Sequence, residues 1–441
     1  MPEIGLVIVD PGHFHVALVQ QEMHPNVSPR AHVHAPLGPD LIDYLTRIAR
    51  FNGRPERPTR WDLEVHTSPD FLDRMSRERP GSIAIFSGRN RGKIDRVRTA
   101  IEAGLHALAD KPLIIRREDL PALEGVLAMA QQRRLILGDM MGGRHDIVAK
   151  LAGLLRADPE VFGETLPGSA DEPGAAMTGT HHIFKEVAGV PNFRPAWYFD
   201  IDEQGEGIAD VGTHMVDRVH RTLFAEEAVD HRTDIRLHSA HRWPTMLSRA
   251  QFCQVTGEPQ WPDYLERCVE GDALEYFCNT RLHYEVRGIH VTLETRWEWQ
   301  APAGGDTSHS RYRGSRAVLE IRQGATENWR PELYIVPVAD IGAALERRVA
   351  LLQDAHPGIG LEQRNGEFRA TIPEALRLGH DAQFIQLTRQ FLHYVDHPSL
   401  FPPSERANML SKYYVCTEGV ALSRGDNRSA RPDRLSAARS F

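Results

Sequence analysis

Short apolar segments alternate with longer segments of helical period through the first 150 residues, and this alternation constrains the fold more than any other feature of the chain. Each apolar segment is followed by turn-forming residues before the helical pattern begins. The segments that read as strands are residues 5–9, 31–35, 63–66, 82–86, 105–109 and 135–138. Strands and helices in alternation predict an α/β domain built on a parallel, doubly wound sheet.

The chain is too long for a single core, because a polypeptide of 441 residues usually divides into two or more domains. Residues 159–180 are rich in glycine, proline and small side chains and predict a loop or insertion. Residues 180–185 predict the first strand of a second domain. Residues 291–299 alternate apolar and polar side chains, with Trp297 and Trp299 on the apolar face, which predicts a strand that buries one side.

Two amphipathic patterns follow residue 371, and both predict helices. The end of the chain is polar and basic without an apolar period, which predicts a flexible tail. The predicted organisation is a parallel-sheet domain (1–150), an α+β substrate and oligomerisation domain with a large, mostly antiparallel sheet (151–370), C-terminal helices that pack back on the core (371–425) and the tail (426–441).

Charge and composition exclude several classes of protein. The formal net charge is −8, whereas nucleic-acid-binding surfaces carry a basic excess, so no nucleic-acid partner is expected. No apolar run is long enough to cross a bilayer, and the start of the chain has no secretory signal pattern, so no membrane partner is expected. Four cysteines without a Cys-x-x-Cys pair are typical of reduced thiols. We therefore expect a cytoplasmic protein.

The amine, acid and imidazole needed for proton transfer occur in two short motifs. Asp210 and His214 are four residues apart, so a helix places them on one face. Lys111 follows the predicted strand at 105–109, and ligands of open α/β sheets bind at the carboxyl ends of strands. The two motifs predict that Lys111, Asp210 and His214 converge on one small molecule.

The turn after the first predicted strand carries only part of a dinucleotide fingerprint. A G-x-G-x-x-G motif aligned there places Asp10, Gly12 and His15 at the glycine sites, so only the middle glycine is kept. The acid that would bind the ribose is also missing from the end of the second strand, where Asp40 is the nearest carboxylate. Taken alone, the segment fits a tight turn as well as it fits a cofactor site.

Three further segments resemble one family of oxidoreductases. Residues 103–112 are similar to the Ala-Gly-Lys-His-Val-x-x-Glu-Lys-Pro run of the glucose-fructose oxidoreductase and inositol dehydrogenase superfamily (Gfo/Idh/MocA), with Asp110 where that family has Glu. The loop after the fourth predicted strand is similar to its Thr-Pro-Asn-x-x-His, matching at Asn90 and with Lys93 in place of the His. Residues 10–19 resemble a branch of this superfamily with an "oxidoreductase C-terminal" extension.

The resemblance implies a Rossmann-like first domain, an open-faced sheet in the second, and an NAD- or NADP-dependent oxidoreductase that acts by hydride transfer on a hydroxyl or ketone of a sugar, sugar derivative or polyol. Lys111 would polarise the substrate oxygen, His214 would accept its proton, and Asp210 would orient His214 or bind a neighbouring hydroxyl. Cofactor-binding residues implied in this way are Asp10, Gly12, His13, Phe14, His15, Ser87, Arg89, Asn90, Lys93, Asp110 and Lys111, and substrate-binding residues are Arg144, His182, Arg194, Trp197 and Asp217.

The resemblance also implies a homodimer or homotetramer formed through the sheet of the second domain. The apolar face at residues 291–299 would then be buried against another subunit. A layer of helices from the same domain would cover that face equally well. Both interpretations follow from the alternation of apolar and polar side chains, and the sequence does not choose between them.

Two other functions are compatible with the same residues. A non-redox or metal-assisted lyase or hydratase acting on a keto-sugar is one, and the degenerate fingerprint favours it. A divalent metal for that reaction could be held by His181, His182, Asp210 and His214. These residues share no tight spacing motif, so no bound metal is expected. The other function is a non-catalytic ligand sensor, which would not need an amine, an acid and an imidazole together.

Overall fold

The first sheet has the strand order of a Rossmann fold. The computed structural model describes residues 4–77, 82–187, 190–191, 193–301 and 305–429. The strands of this sheet are Ile4–Val9 (β1), Val27–His34 (β2), Asp62–His66 (β3), Ile83–Phe86 (β4), His106–Ala109 (β5) and Leu137–Asp139 (β6). They are all parallel and run in the order β3-β2-β1-β4-β5-β6. The predicted doubly wound α/β sheet is therefore confirmed, although β2 begins earlier and β6 later than predicted.

Helices on both faces connect these strands. They are His15–Val19 (α1), Pro39–Gly53 (α2), Phe71–Met75 (α3), Lys93–Glu102 (α4) and Leu120–Gln132 (α5). The next helix, Ile147–Arg156 (α6), follows β6 and packs in the core of the second domain. In α4, Ile94, Val97 and Ile101 recur at helical spacing and are all buried, so one face of the helix packs on the sheet. The parallel arrangement brings the carboxyl ends of β1, β4 and β5 to one edge, where loops can form a site.

A large second sheet organises the rest of the chain. The strands after β6 are Ala175–Phe184 (β7), Glu186–Val187 (β8), Val190–Pro191 (β9), Ile235–Ser248 (β10), Val269–Glu270 (β11), Ala273–Val286 (β12), Ile289–Gln300 (β13), Thr307–Arg313 (β14), Ala317–Gln323 (β15), Glu332–Pro337 (β16), Gly360–Arg364 (β17) and Glu367–Thr371 (β18). Within the described residues, ten of them form the sheet β10-β12-β13-β7-β14-β15-β16-β18-β17, with β11 paired to β12. Apart from the parallel pair of β7 and β13, neighbouring strands are antiparallel, as predicted.

The loop predicted at residues 159–180 is wrong over its last part, because β7 begins at Ala175. Glycine and small residues were the signal for the loop, but close packing explains them. A Cβ atom on Gly174 would lie 2.2 Å from the carbonyl oxygen of Leu166, so only glycine fits where the chain enters the sheet. From there β7 continues between β13 and β14 in the middle of the sheet.

The remaining helices pack on the second sheet and back on the first domain. They are Gly207–Asp210 (α7), Gly212–Phe224 (α8), Arg249–Thr256 (α9), Gly342–Leu352 (α10), His380–Asp396 (α11) and Glu405–Ser429 (α12). Phe384 and Phe391 of α11 belong to the core around β1. In α12, Tyr413 packs into the core of the first domain and Val415 into that of the second. The long helix α12 therefore joins the two domains.

Two further expectations concern the helices. The flexible tail predicted from residue 426 is wrong for residues 426–429, because α12 continues to Ser429. The rest of the predicted tail, residues 430–441, lies outside the described residues. In the described part of the chain, none of the helices combines the length and the apolar character needed to cross a bilayer.

The apolar face of β13 is covered by the chain's own side chains. Val291, Leu293 and Trp297 are at most 6% exposed, and α8 packs across this face of the strand. Trp299 is partly exposed and stacks on Phe184, with ring centroids 5.4 Å apart. A helix of the same chain therefore packs on this face, as the helix-layer interpretation predicts. The homodimer or homotetramer predicted through the sheet of the second domain stays a prediction.

Candidate active site at the edge of the parallel sheet

An ion pair between the two domains forms the centre of the candidate site. Lys111, in the turn after β5, places Nζ 2.5 Å from Oδ1 of Asp210, at the end of α7. The two side chains are only 10% and 8% exposed. Burial alone would raise the pKa of Asp210, but the charge and hydrogen bond of Lys111 hold it below its usual value, so Asp210 is a carboxylate. The structure therefore brings Lys111 and Asp210 together, as the sequence predicts.

His214 lies one helical turn beyond Asp210, in the first turn of α8. Val211 between the two helices keeps helical backbone angles, so Asp210 and His214 stay on the same side. Burial and the nearby Lys111 ammonium lower the pKa of His214 well below its ordinary value. The imidazole is therefore neutral near pH 7 and can accept a hydrogen bond or a proton.

A cavity of about 710 Å³ opens beside this group, between the first domain, α8 and α11. Its walls include His15, Arg144, His214, Asp217, His380 and Phe384. His214 is thus the member of the predicted triad that faces a space large enough for a small substrate. The ring of His380 lies 5.2 Å from that of His15. His380 could not be predicted as a neighbour of His15 from the sequence, because the two residues are more than three hundred positions apart in the chain.

Asp110 organises the turn after β1. Its carboxylate lies 2.8 Å from Nδ1 of His13, 3.0 Å from Nδ1 of His15 and 2.9 Å from Oγ of Ser87. Burial opposes ionisation, yet the two imidazoles hold the pKa of Asp110 well below its usual range. Burial in turn lowers the pKa of His15 to about 3. Because both rings present Nδ1 to Asp110, the Nε2 atom of each points away from the carboxylate.

Side chains from distant parts of the chain pack directly over Gly12. The backbone N–H groups of Gly12 and His13 both donate to the carbonyl oxygen of Ser87, at 2.8 and 3.0 Å. A Cβ atom on Gly12 would lie 3.1 Å from Oδ2 of Asp40 and 3.3 Å from the ring of Trp197. Trp197, predicted to bind substrate, therefore lies on the predicted cofactor turn, where its Nε1 donates to Asp40 at 3.0 Å.

Two arginines stand near the same turn. Arg89 pairs with Asp40 at 3.1 Å and lies over the ring of Trp197, 5.3 Å from its centroid. Arg96 pairs with Asp10 at 3.0 Å. Both arginines already pair with carboxylates. An anionic ligand could bind either arginine only if that arginine first released its carboxylate.

Lys93 and Asn90, predicted to contact a cofactor, instead brace the turn that carries Lys111. Lys93 is 1% exposed and its Nζ lies 2.5 Å from Oδ1 of Asn90, 2.9 Å from the carbonyl oxygen of Asp110 and 3.2 Å from that of Pro112. Burial lowers the pKa of Lys93 to about 7. The side chain faces the interior because α4 starts at Lys93 and packs on the sheet.

Arg144 and Asp217, predicted to bind substrate, belong to a buried network of charges. Arg144 donates twice to Asp217, at 3.0 and 2.6 Å, and once to Glu405 of α12 at 2.8 Å. Lys412, also on α12, lies 2.5 Å from Asp139 and 3.5 Å from Asp217. Arg144 and Asp217 line the cavity, but their charges are already compensated, so their first role is to hold α6, α8 and α12 together.

The other predicted ligands lie elsewhere on the second sheet. His181 and His182 both bond to Asp306, each with Nδ1 at 3.1 Å, and Lys185 bonds to the same carboxylate. Arg194 lies over the ring of Tyr198, 4.5 Å from its centroid. Tyr198, which the sequence analysis missed, brings its hydroxyl 3.5 Å from Asp210.

The metal site proposed for His181, His182, Asp210 and His214 does not assemble. Within the described residues, the groups of histidines and acids whose ligand atoms lie within 4.8 Å of one another do not include this set. The reason is that the carboxylate of Asp306 takes the two histidines of β7, whereas Asp210 pairs with Lys111.

Comparisons with known proteins find one matching family and several similar solved structures. Residues 151–424 match the family described as "Putative oxidoreductase C terminal domain". A solved structure described as a "putative oxidoreductase" from Parabacteroides merdae is 39% identical, covers 96% of this chain and 98% of its own, and superposes with a TM-score of 0.92. No curated protein matches the chain at a significant level.

Two more distant structures share the fold. GenD2 from gentamicin A biosynthesis, solved in complex with NAD, is 14% identical over 97% of this chain and 96% of its own, with a TM-score of 0.58. KijD10, a 3-ketoreductase from Actinomadura kijaniata solved with NADP and TDP-benzene, is 16% identical over 96% and 98%, with a TM-score of 0.56. At such low identities the likeness shows the shared two-domain fold alone.

Proposed function

The chain belongs to the family described as "Putative oxidoreductase C terminal domain", and from this premise we propose that it is an NAD(P)-dependent oxidoreductase of the Gfo/Idh/MocA type. Its substrate would be a sugar, sugar derivative or polyol that is oxidised at a hydroxyl or reduced at a ketone. The observation that carries the proposal is the buried pair of Lys111 and Asp210, which joins the two domains beside His214 and its cavity. The 3-ketoreductase solved with NADP and the protein solved with NAD among the distant structures support the same class of reaction.

In the proposed reaction the chain's own residues manage the proton. Lys111 donates a hydrogen bond to the substrate oxygen and so favours its alkoxide-like form in the transition state. Asp210 holds the ammonium of Lys111 in place. His214, neutral because of burial, accepts the hydroxyl proton at a ring nitrogen during oxidation and returns it during reduction. A bound nicotinamide would supply the hydride acceptor or donor.

The edge of the sheet fits a dinucleotide once the cover over Gly12 opens. The strand order is that of a dinucleotide-binding fold, in which the turn after β1, here carrying Gly12, approaches the phosphates. Trp197 and Arg89 have to move off the turn before a phosphate can approach. Arg89 can then exchange Asp40 for the phosphate, and burial already raises the pKa of Asp40, which lowers the cost of neutralising it.

Adding one methyl group at Gly12 tests the cofactor site. We expect Gly12→Ala to weaken NAD(P) binding at least about tenfold, because the new Cβ occupies the volume that a phosphate needs beside this turn. Calorimetric titration with NAD and with NADP measures the effect and also decides between the two. Gly125→Ala is the matched control, since a Cβ at that helical position meets open space. Equal affinities in wild type and Gly12→Ala would remove the turn from the cofactor site.

The pH dependence of turnover tests the role of His214. Because burial and Lys111 lower its pKa, protonation of His214 should reduce kcat/KM only well below about pH 6.5, on the acid side of the profile. We expect His214→Asn to remove this acid limb and to lower kcat. A limb near pH 7 that persists in His214→Asn would come from another group, and Lys93, whose pKa burial lowers to about 7, is the first candidate. An unchanged profile and rate would exclude His214 as the proton acceptor.

The geometry around Asp110 favours a second candidate, a redox-neutral lyase or hydratase that uses a divalent metal. Asp110 fixes His13 and His15 through Nδ1, which leaves both Nε2 atoms as possible ligands beside the cavity. Incubation of the purified protein with keto-sugars, with and without NAD(P) and with and without a chelator, separates the candidates. Turnover that needs a metal and no nicotinamide would favour this second function, and binding without any turnover would favour a sensor.

A further inference from the structure

The solvent-facing side of the large sheet carries a cluster of histidines outside the candidate active site. His238 lies on β10, His283 and Glu285 on β12, and His290 on β13. Glu285 and His290 are directly paired across the two strands. The rings of His238 and His283 stack with centroids 4.9 Å apart, and those of His283 and His290 are 5.2 Å apart. Three neighbouring strands thus bring imidazoles and one carboxylate to a single patch.

One carboxylate oxygen stands at the centre of this patch. Oε1 of Glu285 lies 2.8 Å from Nε2 of His238 and 3.3 Å from Nε2 of His290. The potential ligand atoms of the three residues all lie within 4.8 Å of one another. In a tetrahedral zinc site the ligand atoms stand about 2.0–2.1 Å from the metal and so roughly 3.4 Å from one another. The distances from Oε1 of Glu285 to the two histidine nitrogens are therefore close to the distance between neighbouring ligand atoms in a tetrahedral zinc site.

His283 is placed to fix the orientation of His290. Nε2 of His283 lies 2.9 Å from Nδ1 of His290, so one of the two nitrogens donates to the other. A neutral imidazole has one acceptor nitrogen, so Nε2 of His283 can accept from Nδ1 of His290. When His290 donates from Nδ1, its Nε2 presents a lone pair toward Glu285, and a cation between them removes the repulsion. Metal-bound histidines usually donate their other N–H group in this way.

Two other groups of histidines and acids in the described residues match a metal less well. The group around Asp110 uses both of its carboxylate oxygens on Nδ1 atoms and belongs to the candidate active site. In the group of His32, Glu64 and His66, the nitrogen–oxygen distances are 3.7 and 3.4 Å, and the Glu64 side chain is 48% exposed. Compared with the His32, Glu64 and His66 group, the patch on β10, β12 and β13 has shorter nitrogen–oxygen distances and a less exposed carboxylate, at 25%.

We propose that His238, Glu285 and His290 bind a divalent transition-metal ion, with zinc the best match to two imidazoles and one carboxylate. His283 is a positioning residue that holds His290 with Nε2 toward the metal. The fourth coordination position faces the solvent side of the sheet and takes a water molecule. The ion links three strands of the second domain, and it lies apart from the residues assigned to hydride and proton transfer.

Zinc binding to the purified full-length protein tests this assignment. In competition with a chromogenic chelator, wild type should bind one Zn²⁺ more per chain than the His238→Ala/His290→Ala double variant. Zinc should also raise the Tm of wild type by an amount that the double variant lacks. His309→Ala is the matched control, because His309 also lies on this sheet beside a glutamate, Glu320, and is 50% exposed. Its stoichiometry should equal that of wild type.

Substitutions at His283 test whether this residue orients His290 or only lies next to it. His283→Gln keeps an oxygen that can accept from Nδ1 of His290 and should keep the zinc affinity, whereas His283→Leu should weaken it about 10- to 100-fold. Circular dichroism checks that each variant is folded, and Glu285→Gln provides a second folded variant that removes a ligand charge. Equal stoichiometry and affinity in wild type and the double variant would overturn the proposal, and the cluster would then be a hydrogen-bonded group without a metal.

Discussion

Lys111→Met should lower kcat by about 10²- to 10⁴-fold, the range expected when a group that assists proton transfer is lost. Lys111 carries the charge that faces the reacting oxygen, and methionine keeps most of the side-chain volume without it. Cofactor affinity should stay nearly unchanged, because the dinucleotide turn lies after β1 and Lys111 lies after β5. Steady-state assays of NAD(P)H absorbance, with a panel of sugars and polyols as substrates, together with calorimetric titration of the cofactor, measure the two quantities separately.

Two variants control this experiment. Arg347→Met removes an exposed cation on α10, away from the cavity, and should leave both kcat and cofactor affinity unchanged. Asp210→Asn keeps an oxygen that can accept the hydrogen bond of Lys111 but removes the charge, so its loss of kcat should be smaller than that of Lys111→Met. Turnover of Lys111→Met within about twofold of wild type, where ΔΔG‡ stays below roughly 0.4 kcal/mol, would take Lys111 out of the mechanism.

The fold followed from the sequence wherever the signal was local. Alternating strands and helices gave every strand of the first sheet, and the alternation along β13 gave the correct buried face. The loop prediction failed at β7 because Gly174 and its small neighbours serve close packing between strands, which has the same composition as a turn. Local patterns do not show what covers an apolar face, so the helix layer and the subunit interface could not be separated from the sequence.

The candidate site was predictable only in part, for a related reason. Lys111, Asp210 and His214 each stand in a recognisable motif, so their types and spacing sufficed. The partners that decide what neighbouring residues do come from far along the chain. Asp40 and Trp197 cover Gly12, and no short-range signal announces such contacts. Lys93 was assigned to the cofactor by alignment alone. In the structure its side chain turns inward and donates to the carbonyl oxygen of Asp110.

The same long-range contacts create the largest expected effect on stability, at Lys412 of α12. Lys412 is 1% exposed and its Nζ lies 2.5 Å from Oδ2 of Asp139, whose side chain is fully buried at the end of β6. Lys412→Met should lower the free energy of unfolding by about 3–5 kcal/mol, because it removes the hydrogen-bonded counter-ion of a buried carboxylate and leaves only Arg144, at 3.9 Å, as a nearby cation. The hydroxyl of Tyr413, at 3.1 Å, would remain as a donor to Asp139 but carries no charge. Urea denaturation followed by circular dichroism measures the change.

A double variant distinguishes the lost ion pair from lost packing. Lys412→Met/Asp139→Asn removes both charges and keeps an oxygen that accepts from Tyr413, so it should recover most of the stability lost in Lys412→Met. Lys150→Met, at an exposed position, should stay within about 0.5 kcal/mol of wild type. If the double variant is as unstable as Lys412→Met, the loss comes from packing of α12 against β6. If Lys412→Met is as stable as wild type, the buried pair does not hold α12 to the first domain.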